Sequence, residues 1–209
     1  MIKAVIFDMD GVLIDAKEWH YEALNRALRL FGMEISRADH LTTFDGLPTR
    51  RKLEMLTVTE GLPKELHSFL NDLKQAYTLE LVGSRCRPTF THEFALARLK
   101  ARGLKLAVAS NSVRNTVLTM MDRANLARQL DLMLSNEDVA RSKPDPEIYR
   151  TAIERLGVTP EEALIVEDNE HGIKAARASG AHLLVVRTPA DVTLANIDRR
   201  ISEIQNPAA

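Results

Sequence analysis

The chain has 209 residues, 45% of them hydrophobic and 27% charged, enough for one large domain or for one domain carrying a smaller insert. A net charge of −1 gives no overall field for nucleic acid or an acidic membrane, and no uncharged apolar run approaches the roughly 18 residues that cross a bilayer. The single cysteine, Cys86, excludes an internal disulfide framework and a Cys-rich zinc site, and Asp8 and Asp10 interrupt any signal-peptide core, so a cytoplasmic protein is expected.

The first apolar run, Ile2–Phe7, is continuous rather than alternating, as in a strand covered on both faces. It ends in Asp8-Met9-Asp10-Gly11. From Ala16 to Val82 the pattern becomes helical: an amphipathic stretch Ala16–Phe31 stops at Gly32, Leu66–Leu81 forms another, and Phe44–Arg50 reads as a loop between helices because of its Gly and Pro. A helical insert over 16–82 is therefore predicted, with connections near Ile14–Ala16 and Val82–Thr91. Further strand-like runs follow at Leu104–Ala109, Leu130–Leu134, Ala163–Val166 and His182–Val186. Helical segments separate them. Asn111–Leu126 has Ser112 as its N-cap, another helix opens at Asp145-Pro146-Glu147, Thr159 and Glu162 have capping-box spacing, and Glu170–Ser179 stops at Gly180. Strands alternating with helices predict an α/β fold, a Rossmann-like parallel sheet sandwiched by helices and built from 1–15 and 83–209. Gln205–Ala209 are expected to fray.

In an open parallel sheet, ligands bind beyond the carboxyl ends of the strands. Here those ends and the loops beside them carry Asp8 and Asp10, Ser110 and Asn111, Lys143, and Glu167 with Asp168. The set suits phosphoryl transfer. Mg²⁺ takes oxygen ligands and offsets the charge of a phosphate ester. Asp8 could attack phosphorus to give an aspartyl-phosphate, and Asp10 could protonate the leaving alcohol and then activate water. Lys143 would neutralise nucleophile and phosphate together, and Ser110 and Asn111 would donate to phosphate oxygens at a helix start. Taken singly, each has a plain structural alternative: a solvated turn, a helix cap, a loop lysine, a charge pair at a helix N-terminus. Their joint order and placement favour chemistry.

These residues resemble the haloacid dehalogenase superfamily. Phe7-Asp8-Met9-Asp10-Gly11-Val12 is similar to its first motif, Ser110-Asn111 to the second, Lys143-Pro144 to the third and Glu167-Asp168 to the acidic fourth. The resemblance implies a core with a small inserted helical cap, here 16–82. It implies Asp8 as nucleophile and Mg²⁺ ligand, Asp10 as general acid and base that also ligates through its backbone carbonyl, Asp168 as a ligand and Glu167 in support. The expected activity is hydrolysis of a small phosphorylated metabolite, a sugar phosphate foremost, with no nucleic-acid or membrane partner.

A sugar-phosphate mutase of the β-phosphoglucomutase type is the alternative, since Asp15-Ala16-Lys17-Glu18-Trp19-His20 resembles the cap-entry segment of those relatives. Against it, Asp45 stands before Gly46 where a mutase loop carries lysine, and the loop is one residue longer before Arg50. A non-catalytic phosphate-binding module on the same fold is a further alternative. His20, Thr49 and Arg50 are the candidate substrate contacts in the cap, Arg50 because guanidinium suits phosphate, and His171 is a candidate for the rim. His40, His67, His92 and His182 show no metal-ligand spacing.

Overall fold

The structure, a computed structural model, describes residues 1–44 and 46–206, so Asp45 and residues 207–209 lie outside it, and with Asp45 the departure from the mutase loop. In chain order the main elements are β1 (Ala4–Phe7), α1 (Lys17–Arg29), the short α2 (Arg37–Asp39), α3 (Thr49–Glu60), α4 (His67–Arg85), α5 (Phe90–Ala101), β2 (Lys105–Ala109), α6 (Arg114–Arg123), β3 (Leu132–Leu134), α7 (Glu147–Leu156), β4 (Ala163–Glu167), α8 (Glu170–Ser179), β5 (His182–Val185) and α9 (Leu194–Gln205). The five predicted apolar runs are the five strands of one sheet, all parallel, in the order β3-β2-β1-β4-β5. The chain divides into an α/β unit, residues 1–15 with 86–209, and a helical unit, residues 16–85.

The strands read as continuous apolar runs because both faces of the sheet are covered. On one face the side chains are small: Ala4, Ala107, Ala109 and Ala163, with Ile6 and Ile165, pack against Ile148, Tyr149, Ala152 and Ile153 of α7 and Ala175 and Ala176 of α8. The intervening residues Val5, Phe7, Leu106, Val108, Leu164 and Val166 point the other way by the two-residue period and are fully buried. On the edges of that packing, α5 meets β2 and α9, and α9 meets β5. Each such large apolar side chain contributes roughly 1.5–3 kcal/mol on burial. α7 ends at Gly157, whose φ of 64° supplies the left-handed turn, and the Lys105 ammonium donates to the last-turn carbonyl of Leu156. Among the described residues no helix is long and apolar enough to cross a membrane.

In the helical unit, α1 packs along α4. Its core is Leu24, Ala27, Leu28, Ile35, Phe44, Leu53, Leu56, Leu62 and Leu70. Buried Asn25 fixes the chain after α1, donating from Nδ2 to the Ile35 carbonyl at 2.9 Å and accepting from the Ile35 N–H at 2.9 Å.

Some boundaries differ from the sequence expectation. Phe44–Arg50 is not all loop: Pro48 sits in the cap position and Thr49 and Arg50 are the first residues of α3. α4 runs through Gly83 and Ser84 to Arg85 instead of stopping at Leu81, and Arg85 in its last turn pairs with Glu22 at 2.7 Å. Thr159 and Glu162 form the expected capping box around a single 3-10 turn. Gln205 is the last residue of α9, and residues 207–209 of the end expected to fray lie outside the described residues.

Candidate active site

The strand register builds the site. Phe7 lies opposite Val108 on one side and Val166 on the other, so the next residues, Asp8, Ala109 and Glu167, emerge side by side. The Asp8 N–H continues the ladder to Val166 O at 2.9 Å, and the Ser110 N–H does the same to Leu134 O at 3.0 Å. From β1 the sheet grows to β2 and β3 on one side and to β4 and β5 on the other. That reversal opens a crevice at the carboxyl end of β1. After Asp8 the backbone turns back sharply. Gly11 adopts φ 88°, and the Met9 carbonyl accepts from both Leu13 N (3.0 Å) and Ile14 N (2.9 Å). An L side chain is disfavoured at that φ, which accounts for the glycine.

At the floor lies Lys143, almost wholly buried. Its Nζ donates to Asp8 Oδ1 at 2.6 Å, Glu167 Oε1 at 2.7 Å and Tyr149 Oη at 2.7 Å, which uses the three hydrogens of the ammonium. Burial opposes that charge, but the Asp8 and Glu167 carboxylates overcome it and hold the lysine above its ordinary value. The Tyr149 ring lies beneath the ammonium, 4.6 Å from Nζ to the centroid, and its hydroxyl donates onward to Glu167 Oε1 at 2.7 Å. Burial, then the charges of Glu167 and Asp8, push the phenol well above its usual range, so it stays a donor.

Glu167 is bonded on every side. Oε1 accepts from Lys143 and Tyr149, and Oε2 accepts from Asp168 N at 2.9 Å and Asn169 N at 3.1 Å. A carboxylate has about four lone-pair sites, and these bonds fill them. Burial works against its charge, yet Lys143 and these donors outweigh it and lower its pKa. Its carboxylate rests directly against Gly172 in the first turn of α8. A Cβ built there would stand 1.7 Å from Oε1 and 2.0 Å from Cδ. Asp8, Glu167 and Asp168 each offer an oxygen, and these oxygens lie within 4.8 Å of one another.

The remaining expected residues are placed as follows. Ser110 Oγ accepts from Ser112 N at 3.0 Å, which leaves its own hydroxyl hydrogen for a ligand. The Asn111 side-chain amide brackets the backbone of Lys143, Oδ1 accepting from Lys143 N at 3.0 Å and Nδ2 facing Lys143 O at 3.4 Å. Ser112 is not an N-cap. α6 opens two residues later, and its first N–H, that of Arg114, is satisfied by Glu137 Oε1 at 2.9 Å. The Ser112 hydroxyl donates to Asp10 Oδ2 at 2.9 Å.

Residues 5–186 match the sequence profile of haloacid dehalogenase-like hydrolases. The chain belongs to that family. Among curated relatives of this haloacid dehalogenase-like hydrolase, the phosphorylated carbohydrates phosphatase of Thermotoga maritima is 32% identical over 182 residues, 86% of this chain and 82% of the relative. The phosphoglycolate phosphatase of Aquifex aeolicus is 30% identical over 179 residues, with the same shares covered, 86% and 82%. In fold, a β-phosphoglucomutase from Clostridium difficile superposes with a TM-score of 0.84 at 21% identity, over 97% of this chain and 98% of that one.

The candidate substrate contacts His20, Thr49 and Arg50 of the hydrolase belong to the helical unit. His20, half-buried on α1, has Nδ1 3.1 Å from Lys74 Nζ. An ammonium can only donate, so Nδ1 is the acceptor there. Thr49 opens α3, and Arg50 is exposed and pairs with Glu54 at 3.2 Å one turn along. Three other histidines have side-chain partners: His67 Nε2 meets Thr57 Oγ1 at 2.8 Å, His92 Nε2 meets Pro189 O at 2.8 Å, and His40 packs on Tyr21 with ring centroids 4.7 Å apart; His171 lies in the first turn of α8, where its N–H donates to Asn169 Oδ1 at 2.9 Å.

Sequence reading passed over Tyr149. The available signal was a tyrosine rather than a phenylalanine on the apolar face of a helix that opens just after Lys143-Pro144, because a buried hydroxyl needs a partner. Tyr149→Phe keeps the ring and removes a donor and an acceptor. It is expected to cost about 1–3 kcal/mol and to lower kcat by roughly tenfold through a loosened Lys143. Thermal melts and steady-state assays on the variant check both.

Proposed function

We propose that the protein is a Mg²⁺-dependent phosphatase of small phosphorylated metabolites, sugar phosphates foremost, that works through an aspartyl-phosphate on Asp8. The observation that carries this reading is the buried Lys143 held between Asp8 and Glu167 at 2.6 and 2.7 Å, beside a carboxylate trio of Asp8, Glu167 and Asp168. The phosphatase names of the Thermotoga and Aquifex relatives agree with it.

The donor set fits Mg²⁺, being all oxygen and rich in carboxylate. Asp8 and Asp168 would hold the ion, with the Asp10 backbone carbonyl as the family resemblance implies. Glu167, whose lone pairs are committed, would support them from behind. When bound, the cation supplies charge neutralisation for the phosphoryl oxygens. The chain's own residues do the rest. An Asp8 carboxylate oxygen attacks phosphorus as the ester P–O bond breaks, and Asp10 gives its proton to the departing alkoxide. Asp10 then takes a proton from water as the water oxygen attacks phosphorus. The Asp8–phosphorus bond breaks and inorganic phosphate leaves. Lys143 and the Ser110 hydroxyl stabilise the charge on the transferring group. We assign substrate choice to the helical unit as a cap, with His20, Thr49 and Arg50 as candidate contacts, and a cytoplasmic setting to the enzyme.

The test is phosphate release from a panel of sugar, glycolate and nucleotide monophosphates. Release is expected with Mg²⁺, to vanish with EDTA and to return when Mg²⁺ is restored; release indifferent to EDTA overturns the reading. Conversion of a hexose 1-phosphate to its 6-phosphate, primed by a bisphosphate and releasing little phosphate, marks a mutase. Binding without turnover marks a phosphate-binding module. Burial pushes the Asp8 carboxyl well above its usual range, Glu167 and Asp10 add to this, and Lys143 opposes it. Protons therefore compete with Mg²⁺ for Asp8, and the Mg²⁺ concentration for half-activity is expected to fall as pH rises.

A further inference from the structure

Resting on the phosphatase reading, we infer that Asn111 is a positioning residue for Lys143: it holds the peptide unit of the lysine where the loop crosses the end of β2, and so sets how the ammonium meets Asp8. The sheet order creates the need for such a support. Lys143 lies in the segment that leaves β3, at one edge of the sheet, and leads into α7. Its Nζ nevertheless bonds to Asp8, just beyond β1, and to Glu167, the last residue of β4. Since β2 stands between β3 and β1, the lysine has to reach past the end of β2. Asn111 stands there, two residues beyond Ala109, which ends β2 and pairs with Leu134 of β3.

The lysine loop has two kinds of support. Some are local. The Glu147 carboxylate, in the first turn of α7, accepts from Ala140 N at 2.9 Å and Arg141 N at 3.1 Å, and Asp145 N donates to Ser142 O at 3.1 Å. These bonds shape the loop and tie it to its own helix. Asn111 acts from another strand end: its Oδ1 accepts from Lys143 N at 3.0 Å, and its Nδ2 faces Lys143 O at 3.4 Å. The residue before it is Ser110, whose N–H donates to Leu134 O at 3.0 Å and whose hydroxyl is assigned to the phosphate. One short stretch of backbone thus carries both the phosphate-facing hydroxyl and the mount of the lysine, and fixes the distance between them. Asp8, Glu167 and Tyr149 hold the far end of the side chain. Its stem is flexible, so without a mount at the near end the ammonium could keep those partners from a displaced loop, at another angle to Asp8. A misplacement of about 1 Å can cost on the order of 100-fold in rate.

Two measurements separate this role from direct contact with phosphate and from a general loss of structure. The first is a double-mutant cycle of Asn111→Ala and Lys143→Ala, read as kcat/KM with Mg²⁺ on the fastest substrate of the phosphate-release panel. Asn111→Ala alone is expected to lower kcat/KM on the order of 10- to 100-fold. In the Lys143→Ala background it should cost less than about threefold, because no ammonium is left to place. An asparagine that gripped phosphate by itself would lose its full factor in both backgrounds. That result overturns the proposal, and so does an unimpaired Asn111→Ala. The second measurement needs no turnover: amide hydrogen exchange, followed by NMR on the full chain. Asn111→Ala should speed exchange at the Lys143 N–H by about tenfold or more, while Val108 and Val166 in the neighbouring strands keep their wild-type rates. Unchanged exchange at Lys143, or equal acceleration throughout, is equally fatal, and this measurement decides alone should Lys143→Ala be too slow or too unstable to assay. All of these failures leave the phosphatase standing. A wild type that releases phosphate from no member of the panel removes the phosphatase reading and the role of Asn111 with it.

Discussion

Asp8→Asn is expected to lower phosphate release on the order of 10⁴-fold or more while leaving the fold intact. The amide has no nucleophilic oxygen anion and gives a divalent ion a poorer ligand, so the covalent route closes. Stability is expected to move the other way. In the metal-free protein, burial, then the charges of Glu167 and Asp10, hold the Asp8 carboxyl well above its ordinary value against the pull of Lys143. A group raised in the folded state contributes stability below its unfolded value, about 3.9 for aspartate, and that contribution is lost as pH rises through the folded value. Ionising Asp8 as pH rises therefore works against the metal-free fold, and a neutral, nearly isosteric amide avoids it. In EDTA the variant should melt at or above the wild-type temperature. In Mg²⁺ the order should reverse, because an ion bound to the native state stabilises it by mass action. Thermal melts with and without Mg²⁺ read this directly. A variant that melts well below wild type in EDTA would show that the Lys143 pairing outweighs the repulsion.

The second large effect is expected far from any reacting atom. In Gly172→Ala the new methyl would need the space now filled by the Glu167 carboxylate, 1.7 Å from its Oε1. Neither side yields cheaply. Gly172 is a buried residue of α8, and Glu167 is pinned by Lys143, Tyr149 and two backbone N–H groups. Driving the carboxylate out would leave the Lys143 ammonium buried with fewer partners, the kind of broken buried pair that costs about 3–5 kcal/mol. Activity should fall with it on the order of 100-fold or more, because Lys143 also holds Asp8. Calorimetric melting and kcat on the purified variant test this. A variant of wild-type stability and activity would mean that Glu167 has another place to go. Ile173→Ala, one position along α8, is a useful comparison because Ile173 is only half-buried.

What could be read from the residues alone divides along physical lines. The strands were legible because burial on both faces leaves an uninterrupted apolar run, as in Ala163–Val166, and their carboxyl ends then located Asp8, Ser110 and Glu167. The limits of α4 were not, since the apolar pattern ends at Leu81 while the helix runs on to Arg85, whose partner Glu22 lies 63 positions away. Ser112 looked like a helix cap because the alternative acceptor, Asp10, lies 102 positions away. Asn111 also supports the backbone of Lys143, 32 positions on, and no local pattern announces that contact. Tyr149 and Gly172 were silent for the same reason: each matters only through Glu167, and nothing local in either segment refers to that carboxylate. Local pattern thus reveals where the chain is covered and where it turns, while the supports of a buried charge are set by contacts across the fold.

The strand order also governs when the site can exist. β1 is made early, but its neighbour on the Glu167 side, β4, begins only at Ala163. On a ribosome, a growing chain would own Asp8 and Asp10 until β4 emerges with one side of β1 still waiting for its partner, an edge open to mispairing with other chains. Lys143 would emerge before Glu167, with half of its counter-charge missing. Competence would arrive together with the closing of the sheet, so a polypeptide still lacking β4 would be exposed to aggregation before it could act on substrate.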